Sequence, residues 1–238
     1  MPDRASRKSR LLLALAAAVG VAASAYLGGW QLQRAAYKLE LQQRLDLAQR
    51  QAPLKLPAEL VAPDALAYKR MEAYGQFRPE LTILVDNRVH GGVVGYEVIT
   101  PLRIGSGELY VLVNRGWVKA PRTRQELPAV VTPRGAVRAE GIALPPNRRY
   151  VELSSQTVTG PVWQNLDLER FAQRYGVALQ PLVLQQSNDV GDGLVRDWAR
   201  ADTGVARHRA YALQWFAMSA LIAVASAVLL LKKAQRSG

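Results

Sequence analysis

The chain of 238 residues contains no cysteine, three phenylalanines and two histidines. Without cysteine there is no disulfide framework, no thiolate metal site and no cysteine nucleophile, and an oxidising compartment is allowed without being demanded. The usual catalytic signatures are missing as well: no G-x-S-x-G elbow, H-E-x-x-H pair, Walker loop or full G-x-G-x-x-G occurs. "GSG" at Gly105–Gly107 reads as a hairpin turn. "GGVVG" at Gly91–Gly95 precedes a strand rather than a helix, the wrong setting for cradling phosphate. Carboxylates are scattered, with no pair that spacing alone brings together. Nothing in the pattern argues for an enzyme.

Acidic residues are also few, 19 against 31 lysines and arginines, for a formal net charge of +12. Such an excess invites a nucleic-acid reading, but its distribution excludes one. Half of it flanks apolar runs: Arg4, Arg7, Lys8 and Arg10 near the start, and Lys232, Lys233 and Arg236 near the end. The middle has mixed-sign sequence without an unbroken basic block. The charge therefore has a membrane explanation.

Two runs carry no charge at all, Leu11–Gly29 and Ala210–Leu231. As a helix the second reaches about 33 Å, enough to cross a hydrocarbon core, and Lys232 and Lys233 close it. The first has two readings. With "ASA" at Ala23–Ala25 it fits a cleavable secretory signal, while its length and its continuation into a helical pattern fit a membrane span. Basic residues outside both runs place both termini in the cytoplasm and the middle across the membrane. The expected division is a tail at 1–10, a transmembrane helix at 11–30, an extracytoplasmic domain at 31–209, a second transmembrane helix at 210–231 and a tail at 232–238. Small residues recur at helical spacing, Ala14, Ala18 and Ala22 in the first span and Ser219, Ala223 and Ala227 in the second. They form either ridges for close helix packing or the ordinary alanine content of such spans.

Beyond the first span, "WQLQRAAYKLELQQRLDLAQRQ" continues as a polar helix that ends before Pro53, and "PLKLPAELVAP" is a proline-punctuated connector. Short strands follow in "YKRMEAYGQF", "TILVDN", "YEVITPL", "ELYVLVNRGWV" and "AVRAEGIAL". The continuous run "LYVLV" suits a strand covered on both faces. "DLERFAQRYG" reads as a helix capped by Asp167 and ended by Gly176, with one more strand in "PLVLQQS". The expected fold is a membrane protein whose two transmembrane helices flank a β-rich α+β domain. Short connections make its strands antiparallel, and closure into a barrel is open. In "NRVHGGVVGY", His90 reads as a solvated turn residue. Arg115 and Trp117 in "LVNRGWV" are either an ordinary strand end or anchors for a protein partner.

Four stretches in order, "GGWQLQRAAYK", "GYEVITPL", "LVNRGWV" and "HRAYALQWF", together resemble the Surfeit locus protein 1 family, over Gly28 to Phe216. The resemblance implies a membrane-anchored assembly factor for haem-copper cytochrome c oxidase, and not an enzyme. In a bacterial member it would lie in the inner membrane with its central domain in the periplasm. Its implied partners are oxidase subunit I, the lipid bilayer and haem A synthase, and its implied cargo is haem A, carried rather than used. A haem-independent chaperone for an immature subunit is the alternative.

In the family the haem role points to the histidine that opens the second span, here His208. Neutral imidazole is a good axial ligand for haem iron. If the helix has begun by residue 208, Tyr211 and Trp215 share the His208 face, and Arg207 and Arg209 are placed to meet the propionates. On the first helix Trp30, Arg34 and Lys38 form a stripe near the same boundary. The bland reading is that these are interfacial anchors and His208 caps the span. A second axial ligand is left open between water, another chain, His90 and none at all.

Overall fold

The structure is a computed structural model that describes residues 4–62, 64–123, 126–146, 158–198 and 204–235. The ends of both expected tails lie outside these residues. The chain forms two compact units, 1–43 with 199–238 and 44–198. The division falls inside the expected 31–209 domain because helix α1, Arg4–Arg50, runs unbroken through residue 31, and α3, Val205–Gln235, begins before residue 209. Helix α1 ends ahead of Pro53 as its sequence predicts, since proline disfavours helical backbone at the residue before it and removes a donor.

The second unit is built on β1 (Leu54–Lys55), β2 (Arg70–Phe77), β3 (Ile83–His90), β4 (Val93–Ile104), β5 (Leu109–Lys119), β6 (Ala136–Leu144), β7 (Val158–Thr159), β8 (Val162–Trp163), α2 (Leu168–Tyr175) and β9 (Ala178–Gln186). Strands β2, β6, β9, β5 and β4 pair in that order. A short β2–β4 ladder, Gly75 opposite Ile104 to Phe77 opposite Leu102, then closes them into a five-stranded barrel. Closure requires glycine at position 75, where a side-chain carbon would stand 1.8 Å from the Arg103 carbonyl oxygen. The barrel question left open by the sequence is thus settled in favour of closure. The sheet is mixed rather than purely antiparallel: β9 lies parallel to β5 and antiparallel to β6. That placement follows α2, which carries the chain back before β9 starts, whereas the short connections seen in the sequence govern only the hairpins.

Each barrel strand sends alternate residues inward: Met71 and Ala73, Leu102 and Ile104, Val111 and Val113, Ala139 and Ala143, Leu182 and Leu184 form the interior. The outward face of Leu112 packs with Ile83, Ile99, Trp163 and Phe171, so "LYVLV" is covered on both faces as expected. Helix α2 is held by the predicted ends. The Asp167 carboxylate accepts the Arg170 N–H at 3.0 Å, and Gly176 turns the chain at φ 64°.

A buried ionic cluster is set into this apolar construction. In β5, Arg115 is the extra residue of a β-bulge, opposite the step from Val98 to Ile99, and the bulge re-aims its side chain. The guanidinium stands 5.1 Å from the Phe77 ring. It donates to the Asp192 carboxylate at 2.7 Å, to the Thr132 hydroxyl at 2.7 Å and to the Val131 carbonyl at 2.6 Å. Arg196 grips both oxygens of Asp192 at 2.6 Å. The Arg115 and Asp192 side chains are 0 % exposed. Burial works to raise the Asp192 carboxyl, but the hydrogen bonds and charges of Arg196 and Arg115 outweigh it and hold the group below its ordinary value. A carboxyl so depressed stabilises the fold fully above its unfolded value near 3.8, and the contribution is lost as pH falls through the lower folded value.

Breaking a buried pair from one side strands a charge, at about 3–5 kcal/mol. We therefore expect Asp192→Asn to lower denaturant stability by that order at pH 7. The deficit should shrink as the wild-type chain is taken into strong acid, and a deficit constant with pH would contradict the assigned ion pair.

Candidate functional site

Helix α1 as far as Gln43 and helix α3 belong to the other unit, and both helices are long and apolar enough to cross a membrane. They run in opposite directions, side by side. Along α1 the contacts begin with Gly20 against the Ile222 side chain. The Ser219 hydroxyl donates to the Val21 carbonyl at 3.2 Å, and Ser24 turns its own hydroxyl back to the Gly20 carbonyl. Gly28 lies under the Phe216 ring, where a side-chain carbon would stand 2.8 Å from the nearest ring atom. Next, the Gln31 side-chain oxygen lies 2.6 Å from His208 Nδ1. Finally the Lys38 ammonium reaches the neighbourhood of Gly204, just ahead of α3.

The seam of α1 is therefore Gly20, Ser24, Gly28, Gln31, Ala35 and Lys38, facing His208, Ala212, Trp215, Ser219 and Ile222 of α3. Ser24, Gly28, Ala35 and Ala212 are buried and the others are half-buried. Steps of three and four residues on both helices are those of a coiled-coil-like contact. Of the small residues that the ridge reading names, Ser219 lies on the seam and most of the others lie off it, as ordinary alanine content would have them. Ala18, Ala22, Ala223 and Ala227 are exposed, and of the two expected ridges only Ala14 and Ser219 are even half-buried.

His208 sits in the first turn of α3, its backbone N–H donating to the Gly204 carbonyl at 2.9 Å. The helix has thus begun by residue 208, as the expected pocket required. Trp215 shares the seam with His208, whereas Tyr211 is 45 % exposed beside it. Arg207 and Arg209 are exposed. On α1 the expected stripe is split: Lys38 is on the seam, Trp30 is 48 % exposed, and Arg34 is exposed with its guanidinium 5.9 Å from the Tyr37 ring. Lys38, Arg34 and Arg207 all lie close enough for their charges to act on the His208 ring. The arrangement offers one imidazole, three neighbouring cations and adjoining aromatic surface, which suits a ligand with a metal centre, anionic arms and an apolar body.

Gln31 is the contact that sequence reasoning misses. It lies one residue from Trp30 in the quoted stretch, but only the three-and-four spacing of Gly28, Gln31 and Ala35 marks it as a seam position. The other sequence-predicted residues belong to the β-rich unit. Arg115 is buried in its pair with Asp192, so it presents no guanidinium to a partner, correcting the expectation of a surface anchor. Trp117 is half-buried, donates to the Arg88 carbonyl at 2.8 Å, and packs against His90 with ring centroids 5.3 Å apart. His90 ends β3 rather than lying in the turn, which Gly91 and Gly92 make with positive φ.

A closed β-barrel unit with a membrane-length helix at either end defines the class of protein. The particular family follows from comparison with known proteins. A model of the SURF1 family matches residues 18–220. The chain is 27 % identical over 184 residues to a SURF1-like protein of Caenorhabditis briggsae, covering 66 % of this chain and 57 % of that protein. It is 26 % identical over 211 residues to Surfeit locus protein 1 of Takifugu rubripes, covering 82 % and 87 %. It is 26 % identical over 178 residues to the cytochrome oxidase assembly protein SHY1 of Saccharomyces cerevisiae, covering 71 % and 45 %. The chain thus spans little more than half the length of its nematode relative. It belongs to the SURF1 family.

Gly28→Val should push the helices apart, since the Phe216 ring leaves no room for a branched side chain. Because the chain has no cysteine, a Val21→Cys/Ser219→Cys pair carries spin labels without background. We expect the Gly28→Val substitution to lengthen and broaden the label-to-label distance while the barrel melts as before; an unchanged distance would contradict the seam.

Proposed function

We propose that this chain is a non-enzymatic assembly factor for haem-copper cytochrome c oxidase. It binds haem A through His208 at the outer membrane boundary and passes it to subunit I, with haem A synthase as a further partner. Both termini lie in the cytoplasm of a bacterial cell and the β-rich unit in the periplasm, on the strength of the basic residues outside the two apolar runs. Membership of the SURF1 family, and the name of the yeast relative as a cytochrome oxidase assembly protein, support the assembly role.

The observation that carries the haem reading is the setting of His208: an imidazole on the seam, at the start of an apolar helix, with the Lys38 ammonium reaching Gly204 one turn away and Arg207 adjacent in the chain. Haem A is an apolar macrocycle with a long tail and two carboxylates. The cations suit the carboxylates, Trp215 and Tyr211 suit the ring, and the lipid takes the tail. Arg34 and Lys38 of α1 join Arg207 in this role, with Arg209 and Trp30 at the periphery. A single protein ligand also suits a carrier, which must release its cargo.

The haem-independent chaperone has its own observation. Val89, Val93 and Val94 are exposed at the tip of the β3–β4 hairpin, beside Trp117, and form an apolar surface for an immature subunit. A visible spectrum separates the two readings. Detergent-purified protein from cells that make haem A should show a haem A band, and His208→Ala should lose at least nine-tenths of it with the fold intact. Equal bands would move the ligand elsewhere, and no band in either protein would favour the chaperone.

A further inference from the structure

We infer that Gln31 is a positioning residue, which holds His208 as the Nδ1–H tautomer so that Nε2 keeps its lone pair for a haem iron. The inference rests on the haem reading for its purpose but not for its geometry. Neutral imidazole carries one N–H, and the nitrogen without it is the one able to bind metal. The 2.6 Å approach of the Gln31 side-chain oxygen to His208 Nδ1 sets two lone pairs against each other unless Nδ1 bears the proton. With the proton there, the contact is a short hydrogen bond and Nε2 is the bare nitrogen. The same bond fixes the ring about its side-chain torsions, a second-shell role common to metal-binding histidines.

The chemistry of the acceptor matters. A carboxylate in this position raises the basicity of a ligating imidazole, whereas an amide oxygen orients the ring without adding charge. A neutral acceptor thus gives an oriented but weakly donating ligand, as a carrier that must release its haem requires. The alternative is a clamp, with the Gln31–His208 pair only joining two helices. In a clamp the amide can equally turn its NH2 toward Nδ1, leaving the proton on Nε2 and the ring unable to bind metal there.

The test is the nitrogen NMR spectrum of the detergent-solubilised, haem-free protein labelled at histidine. The chain has two histidines, so a His90→Asn background leaves His208 alone. The expected spectrum has a protonated Nδ1 and a bare Nε2 in the wild type and in Gln31→Glu, and a mixture of tautomers in Gln31→Leu. Haem A titration of the same position-31 variants with His90 retained should show Gln31→Leu weaker by about 10–100-fold, the usual loss for a second-shell partner. Gln31→Glu should bind at least as tightly as the wild type and lower the reduction potential of the bound haem. A protonated Nε2 in the wild type, or tautomer populations unmoved by Gln31→Leu, would overturn the inference whether or not haem binds. The expected tautomer in a wild-type protein that takes up no haem A would instead overturn the haem reading and leave the Gln31 hydrogen bond standing.

Discussion

The close approach of two apolar helices is the constraint on which the candidate site depends. In lipid there is no hydrophobic gain from bringing helices together, so association rests on packing and on polar contacts across the seam. Gly20, Ser24, Gly28 and Ala35 supply the first by removing bulk from one face of α1. Phe216 and Ile222 fill the space that Gly28 and Gly20 leave. The Ser219–Val21 and Gln31–His208 contacts supply the second. His208 is thus placed by the pair of helices rather than by α3 alone: its height comes from the start of α3, and its ring orientation from α1.

The β-rich unit uses a different balance. Its barrel is closed by a short ladder and filled by alternate residues from five strands, and the hydrophobic effect does most of the work. The buried Arg115–Asp192–Arg196 cluster departs from that balance. By joining β5 to the backbone at Val131 and to the loop that carries Asp192, it ties two long connections to the barrel wall. A buried ion pair is weak evidence of net stabilisation, but its loss from one side is costly, so the cluster acts as a condition on those loops rather than as a source of surplus stability.

Much of this was legible in the sequence, and the failures have physical reasons. The ends of α2 were readable from Asp167 and Gly176 because capping is local. So was the double coverage of "LYVLV", because a strand buried on both faces has no polar alternation to show. The parallel β5–β9 pairing was not readable, since strand order depends on contacts between segments distant in the chain. Arg115 looked like a surface anchor because arginine is ordinarily exposed, and only its distant partner Asp192 explains its burial. The choice between a packing ridge and ordinary alanine content stays open in the sequence for a related reason. Alanines are so frequent in both spans that several stripes of small residues are available, and the true one is selected by two glycines and a glutamine that meet their partners across the hairpin. His208 was found through its rarity and its place at the start of an apolar run; Gln31 was missed because nothing local distinguishes it from Gln33.

In the proposed carrier, haem A is bound by the helix pair rather than by α3 alone. This is tested most directly by titrating haem A into the detergent-solubilised Gly28→Val protein, in which His208, Gln31 and the neighbouring cations are all retained. Affinity should fall by at least tenfold relative to the wild type, with barrel melting unchanged, because the imidazole is no longer oriented from α1. Wild-type affinity in a variant whose helices have moved apart would contradict it, and would make His208 a ligand that α3 can present alone.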